Sequence, residues 1–184
     1  MRVGCLSECN DSILMWSHYA DNHRGICIEY DLTNSIHQKL YPVIYTHLPI
    51  DCSNLEDPDL AWLVSILDKY DIWKYEKEWR IVFDAPREQV RVDFPGIPKP
   101  KAIYLGAHFL QNWVSVDKRK PEEYVALFGF FTRLYEFIMG NQIPLYFMRN
   151  HQSSYEVFPV AIDVNSVFLN IYEFLRKHAQ KRKG

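Results

Sequence analysis

Apolar positions recur with two different periods along this chain, and the switches between them delimit its elements. "RVGCLS" (2–7) reads as a short strand and "SECND" (7–11) as a polar turn. Asp11 or Ser12 then caps "SILMWSHYADNH" (12–23), where Ile13, Trp16 and Ala20 form one helical stripe. Gly25 stops that helix, and "GICIEYD" (25–31) alternates with period two. "SIHQKL" (35–40) reads as a short helix, "YPVIYT" (41–46) as a strand and Asp51 to Asp59 as a loop. Leu60, Leu63, Val64 and Leu67 recur at three and four, and near Trp73 the period falls to two. "WKYEKEWRIVFD" (73–84) is therefore expected to be a strand. Tyr75, Lys77, Trp79, Ile81 and Phe83 share one face of it, and Glu76, Glu78, Arg80 and Val82 the other. "PREQVRVDFPGIPKP" (86–100) is a hairpin or edge region, and "KAIYLGAHF" (101–109) a strand. The longest helical pattern is "KPEEYVALFGFFTRLYEFIMGNQ" (120–142), with Pro121 near its start. Two late strands, "IPLYFMRN" and "YEVFPVAI", precede a C-terminal helix and basic tail.

Short strands with separated helices predict an α+β domain of mixed or antiparallel sheets with packed helices. We expect a single domain over 1–165 and an appended helix and basic tail over 166–184. A strand that opens the chain with no preceding turn needs neighbours from elsewhere. That abruptness predicts a missing N-terminal segment. It also favours a homodimer, as does the aromatic-rich stretch from Tyr124 to Met139. The alternations around Cys27 and Trp79 predict that 3–31 and 73–83 share one sheet-centred core, with Trp79 inside it.

At 184 residues, 48% hydrophobic and 15% aromatic, the chain can bury a sizeable core. Net charge is −2 and the pI about 6.4, so there is no global basic field for nucleic acid. Arg176, Lys177, Lys181, Arg182 and Lys183 in the tail read either as a nucleic-acid contact or as a solubilising terminus. No apolar run reaches the roughly 18 residues of a membrane span. The first ten residues hold no apolar block of a signal peptide, and a cytoplasmic location is expected. Cys5, Cys9, Cys27 and Cys52 match no compact zinc-knuckle spacing, and Cys5 and Cys27 are expected as reduced core residues. No phosphate loop, nucleophile elbow or dinucleotide fingerprint is present.

Three constellations carry candidate chemistry. Trp16, Ser17, His18, Tyr19 and His23 crowd one segment; they form either a pocket wall or a capped, packed helix. In the first case His18, Tyr19 or Arg24 would meet a phosphate, nicotinamide or base. His18 and His23 are five residues apart, about 500° around a helix, so they do not form a two-histidine metal site on one face. Tyr19 and His23, four apart, are placed to stack. The second constellation is "YEKEWR": Glu76, Glu78 and Arg80 either line a cleft or make ordinary ion pairs on a solvated face. His108, just beyond Gly106, either enters a cleft or packs at a strand end.

"CLSECNDSILMWSHYADNHRGICIEYD", "PVIY" and "DIWKYEKEWRIV" together resemble the bacterial family catalogued as domain of unknown function 2971. The shared marks are the Cys-x-Ser strand, Met15 to Ala20, His23 with Gly25, and the block from Trp73 to Arg80. The resemblance is specific over residues 3 to 83 and looser to about residue 165. Members of that family carry a further N-terminal segment, aromatic at its opening and with an Asn-Asp-Pro turn, which this chain lacks. The family's layout is similar in turn to a partial ADP-ribosyltransferase fold, in which NAD lies between two small sheets. That likeness implies Glu78 or Glu76 as the catalytic glutamate with His18 beside it. It implies Ser7, Trp16, Tyr19 and Arg80 as cofactor-binding residues. Breaking the glycosidic bond of NAD develops positive charge on the ribose, and a fixed carboxylate stabilises it. Two functions follow as expectations. One is a binding or regulatory domain of a bacterial stress or phage-defence system. The other is an NAD-dependent ADP-ribosyltransferase or NAD glycohydrolase. NAD is the cofactor only in the second, and no metal site is expected.

Overall fold

A computed structural model describes residues 2–33, 40–83, 98–110 and 121–180. Residues 35–39 of the helix expected over 35–40, the breaker-rich stretch up to residue 97 and the last four tail residues lie outside the described residues, and Leu40 belongs to a strand. The elements are α-helices and short strands in antiparallel and mixed sheets, an α+β architecture. They fall into two compact units, Met1–Ser12 with Asp31–Pro98, and Ile13–Tyr30 with Lys99–Gly184.

The first unit is built around strand β6, Glu78–Phe83. Strand β1, Arg2–Ser7, pairs with it antiparallel, placing Cys5 opposite Arg80 and Ser7 opposite Glu78. Strand β3, Leu40–Pro42, pairs with its other side. Pro42 has no N–H to donate, and it sits on a strand at the sheet edge, where that absence costs least. Strands β4, Ile44–Thr46, and β5, Asp68–Tyr70, form a parallel pair. Parallel neighbours need a crossover, and helix α2, Pro58–Leu67, lies between them in the chain. Asp57 caps it, accepting from the N–H groups of Asp59 and Leu60, and Pro58 fills the first helical position.

The second unit is organised around a four-stranded sheet in the order β2-β7-β8-β9. These strands are Ile26–Glu29, Ala102–Leu105, Leu145–Asn150 and Val157–Ala161. Helix α1, Ile13–Tyr19, precedes β2. The pair β7 and β8 is parallel, with α3, Pro121–Asn141, between them in sequence; α4 is Val164–Gln180. All four residues of β7 are buried, as expected for a strand covered on both faces. Ile103 and Leu105 join Phe131, Ile138 and Ile171 in one core cluster, whereas Ala102 and Tyr104 join Trp16, Met148 and Val157 in another. The period-two alternation of a four-residue strand thus feeds two cores.

Several expectations change. The strand expected from Trp73 begins only at Glu78: Asp71–Glu76 is a 3-10 turn, and Lys77 is left-handed at φ 44°. A left-handed residue breaks the side-to-side alternation of a strand, so Glu76 does not share a strand face with Glu78. Residues 3–31 and 73–83 do not form one sheet, because β2 hydrogen-bonds to β7 and β1 to β6. Trp79 is half-buried, and its indole N–H donates to Glu8 Oε1 at 2.6 Å, while Ile81 and Phe83 are buried. Cys5 is exposed rather than core, and Cys27 is half-buried against the Trp16 cluster. Helix α1 stops at Tyr19, short of the expected His23. Among the described residues no helix is long and apolar enough to cross a membrane.

Candidate functional site

In the first unit, the end of β5, the 3-10 turn and the start of β6 bring four charges together. Lys69 Nζ donates to Glu76 Oε2 and, at 2.8 Å, to Glu78 Oε2. Arg80 grips Glu78 with two donors, Nε to Oε1 at 2.9 Å and Nη2 to Oε2 at 3.2 Å. Its Nη1 donates to the carbonyl of Ile66. The carboxylates are deeply placed, Glu76 at 2% and Glu78 at 7% exposure. The face expected as either cleft or solvated surface is therefore a buried ion-pair lattice. Lys69 also lies over the Trp73 ring, 5.5 Å from its centroid.

The backbone of Glu76 and Glu78 is tied to neighbouring segments by hydroxyl and backbone groups. The Glu78 N–H donates to the Tyr45 hydroxyl at 2.8 Å, and its carbonyl accepts from the Val43 N–H at 2.9 Å. Ser7 Oγ donates to the Glu76 carbonyl at 2.7 Å and accepts from the Cys9 N–H at 3.1 Å. Ser7, singled out as a cofactor contact, thus ties β1 to the turn that carries Glu76.

Burial raises the Glu78 pKa, but hydrogen bonds from Arg80, Lys69 and Cys5 outweigh it and hold the carboxyl down at about 2, against an ordinary 4.5. Burial lowers the Lys69 pKa, and the bonds to Glu76 and Glu78 reverse that and raise it. The bond to Glu78 also raises that of Arg80. Chemically, Glu78 is an anion near neutrality and a poor proton donor or acceptor there. Both of its oxygens are engaged by cations. Burial and the same carboxylate raise the Cys5 thiol, which disfavours the nucleophilic thiolate.

The second unit holds the other sequence-derived candidates. Trp16 is 3% exposed and belongs to the core cluster with Tyr104 and Met148. His18 and Tyr19 are exposed on α1, their rings edge-on at 6.3 Å. After α1, Asp21, Asn22 and His23 are all left-handed, with φ of 47°, 51° and 65°. Such residues cost of order 1–3 kcal/mol each and persist only where surrounding bonds over-determine them. Here the His23 N–H donates to the Trp16 carbonyl at 3.0 Å, and the N–H groups of Arg24 and Gly25 both donate to that of Ala20. The turn carries His23 away from Tyr19, so the expected stacking is replaced by a pair with His108, ring centres 5.6 Å apart. Burial, with His108 nearby, holds the His23 pKa below its ordinary 6.5. Arg24 pairs with Asp21 at 2.9 Å.

The structure thus gathers Glu76, Glu78 and Arg80 in the first unit, and Trp16, His18, Tyr19 and His23 in the second. Lys69 was missed. It lies seven and nine residues before the glutamates, and no periodicity links a parallel strand to the turn after it. The pairing of His23 with His108 was missed as well, since 85 residues separate two histidines that were noted singly. Among the described residues no group of three or more His, Cys, Asp or Glu could hold a metal ion.

No curated protein and no solved structure matches the chain, so the ADP-ribosyltransferase likeness gains no support from comparison. Residues 15–49, which begin within α1, include the left-handed turn and end just past β4, match a family described as a protein of unknown function, DUF2971.

Proposed function

We propose that this chain is a binding or regulatory domain in which Glu78 is a framework residue and not a catalyst of NAD cleavage. The observation that carries this is the double engagement of Glu78 at 7% exposure. A carboxylate that stabilises a ribosyl cation needs an oxygen turned toward the substrate, and here both oxygens face Lys69 and Arg80. Trp16, the aromatic wall under the NAD reading, is a core residue, which supports the same view. Calorimetry with NAD and a nicotinamide-release assay test it. The expected result is neither heat nor product from the intact chain. Release that falls roughly 100-fold or more in Glu78→Gln would establish the transferase or glycohydrolase reading instead.

Self-association belongs to the same proposal. Val125, Phe128, Phe137 and Met139 of α3, with Leu169 and Tyr172 of α4, are all exposed, Val125 at 74%. Apolar side chains this concentrated are commonly covered by a second copy. Light scattering across the micromolar range is expected to return the dimer mass. Val125→Glu with Phe128→Glu is expected to return the monomer. A monomer mass for the wild type rejects this.

A further inference from the structure

We propose that His23 and His108 hold one divalent transition-metal ion of the zinc class, His23 through Nδ1 and His108 through Nε2. The proposal goes beyond the function above and rests on neither Glu78 nor NAD.

Hydrogen-bond counting identifies the free nitrogens. The Ser17 hydroxyl has one hydrogen, and Oγ donates it to the Ile13 carbonyl one turn back at 2.9 Å. At its 3.0 Å contact with His23 Nε2, Ser17 is therefore the acceptor and Nε2 carries the proton. That leaves His23 Nδ1 as a lone pair, and this buried atom has no hydrogen-bond partner among the described residues. His108 Nδ1 lies 3.3 Å from the Asn22 carbonyl, which can only accept, so the lone pair of His108 is at Nε2.

Each ring thus donates its other N–H to a protein oxygen, Ser17 Oγ for one and the Asn22 carbonyl for the other. This is the outer-shell pattern of metal-ligating histidines, where the second bond fixes tautomer and ring orientation. With metal–nitrogen bonds of about 2.0–2.1 Å, two imidazoles on a tetrahedral ion hold their ring centres about 5–6 Å apart. The observed separation is 5.6 Å, with the planes 54° apart.

The backbone locks both residues to one frame. The His108 N–H donates to the His23 carbonyl at 2.9 Å, and the Gly106 N–H to that of Gly25 at 3.0 Å. The turn of three successive left-handed residues ends at His23, which is buried. His108 is half-buried and so is the more accessible ligand. With two protein ligands, water or an external ligand would complete the coordination from the side of the half-buried His108, since His23 Nδ1 itself is buried. The competing occupant is a water molecule donating a hydrogen to each lone pair.

The test uses the intact, desalted chain titrated with Zn²⁺ by calorimetry and with Co²⁺ by visible absorption. One equivalent should bind, with cobalt ligand-field bands and no thiolate charge-transfer band. His108→Ala should abolish saturable binding while its circular dichroism stays that of the wild type. Ser17→Ala should weaken binding about 10-fold to 100-fold, and His47→Ala, at an exposed site in the other unit, should leave it unchanged. Absence of binding by the wild type overturns the proposal in favour of a bridging water. A thiolate band, or equal binding by His108→Ala, overturns it in favour of Cys5, Cys9, Cys27 or Cys52.

Discussion

Lys69→Met is expected to destabilise the fold by roughly 3–5 kcal/mol at neutral pH, the usual cost of removing one partner from a buried ion pair. Lys69 serves two carboxylates, of which Glu76 is 2% and Glu78 7% exposed. Methionine preserves the aliphatic stem and its packing beside Trp73, so the loss reports charge more than volume. Urea denaturation at neutral pH measures it. Adding Glu76→Gln should recover part of the loss, because the double variant buries one negative charge fewer. A loss under about 1 kcal/mol would class the lattice with exposed pairs.

The same variant predicts a pH effect of definite sign. Glu78 titrates near 2 in the fold against an ordinary 4.5, so the unfolded chain binds more protons between those values. Its contribution is complete above 4.5 and is lost as pH falls through about 2. The stability at stake is of order 3 kcal/mol. Lys69→Met removes one of the bonds that lower the Glu78 pKa, so its folded value rises toward the ordinary one. The acid-dependent loss should therefore be smaller in the variant, and the difference between the proteins should shrink below pH 4.5.

Gly106→Ala is expected to cost roughly 3 kcal/mol or more, at the upper end of overpacking substitutions. A Cβ at Gly106 would lie 2.1 Å from the His23 carbonyl oxygen and 2.6 Å from its carbon. Those are backbone atoms of the left-handed turn, which no side-chain rotation can move aside. The turn is also bonded to the His108 N–H at 2.9 Å, so displacement breaks the frame that joins the two histidines. The control is Gly140→Ala in α3, where an added Cβ meets nothing within 4 Å. That change should be neutral or stabilising by about 0.5–1 kcal/mol. Thermal unfolding of the two variants, side by side, separates a close approach from a general intolerance of alanine. Equal melting temperatures would mean that the His23 turn yields freely.

The sequence alone was enough for most of the regular elements, whose faces repeat over near neighbours. Period two located β2, short strand-like runs located β1, β7, β8 and β9, and helical patterns located α1, α2 and α3, because a strand or helix face repeats every few residues. The α+β class followed from their order. The crowded polar stretch around Trp16 to Gly25 was visible too, and the family match at residues 15–49 covers it.

Tertiary structure decided what rests on partners far apart in the chain. Alternation in "YEKEWR" put Glu76 and Glu78 on one face. The left-handed Lys77 and the 3-10 turn before it undid that, and Lys69 from β5 reunited them as a buried lattice. Whether a charged strand faces water or a counter-ion is a question of desolvation, which no local period encodes. The helical stripe likewise carried His23 on as helix, whereas bonds to the carbonyls of Trp16 and Ala20 fold it back and set it beside His108, 85 positions later. A local pattern names the faces an element has. Only the packed chain determines what each face meets, because burial free energy depends on the partner and not on the spacing.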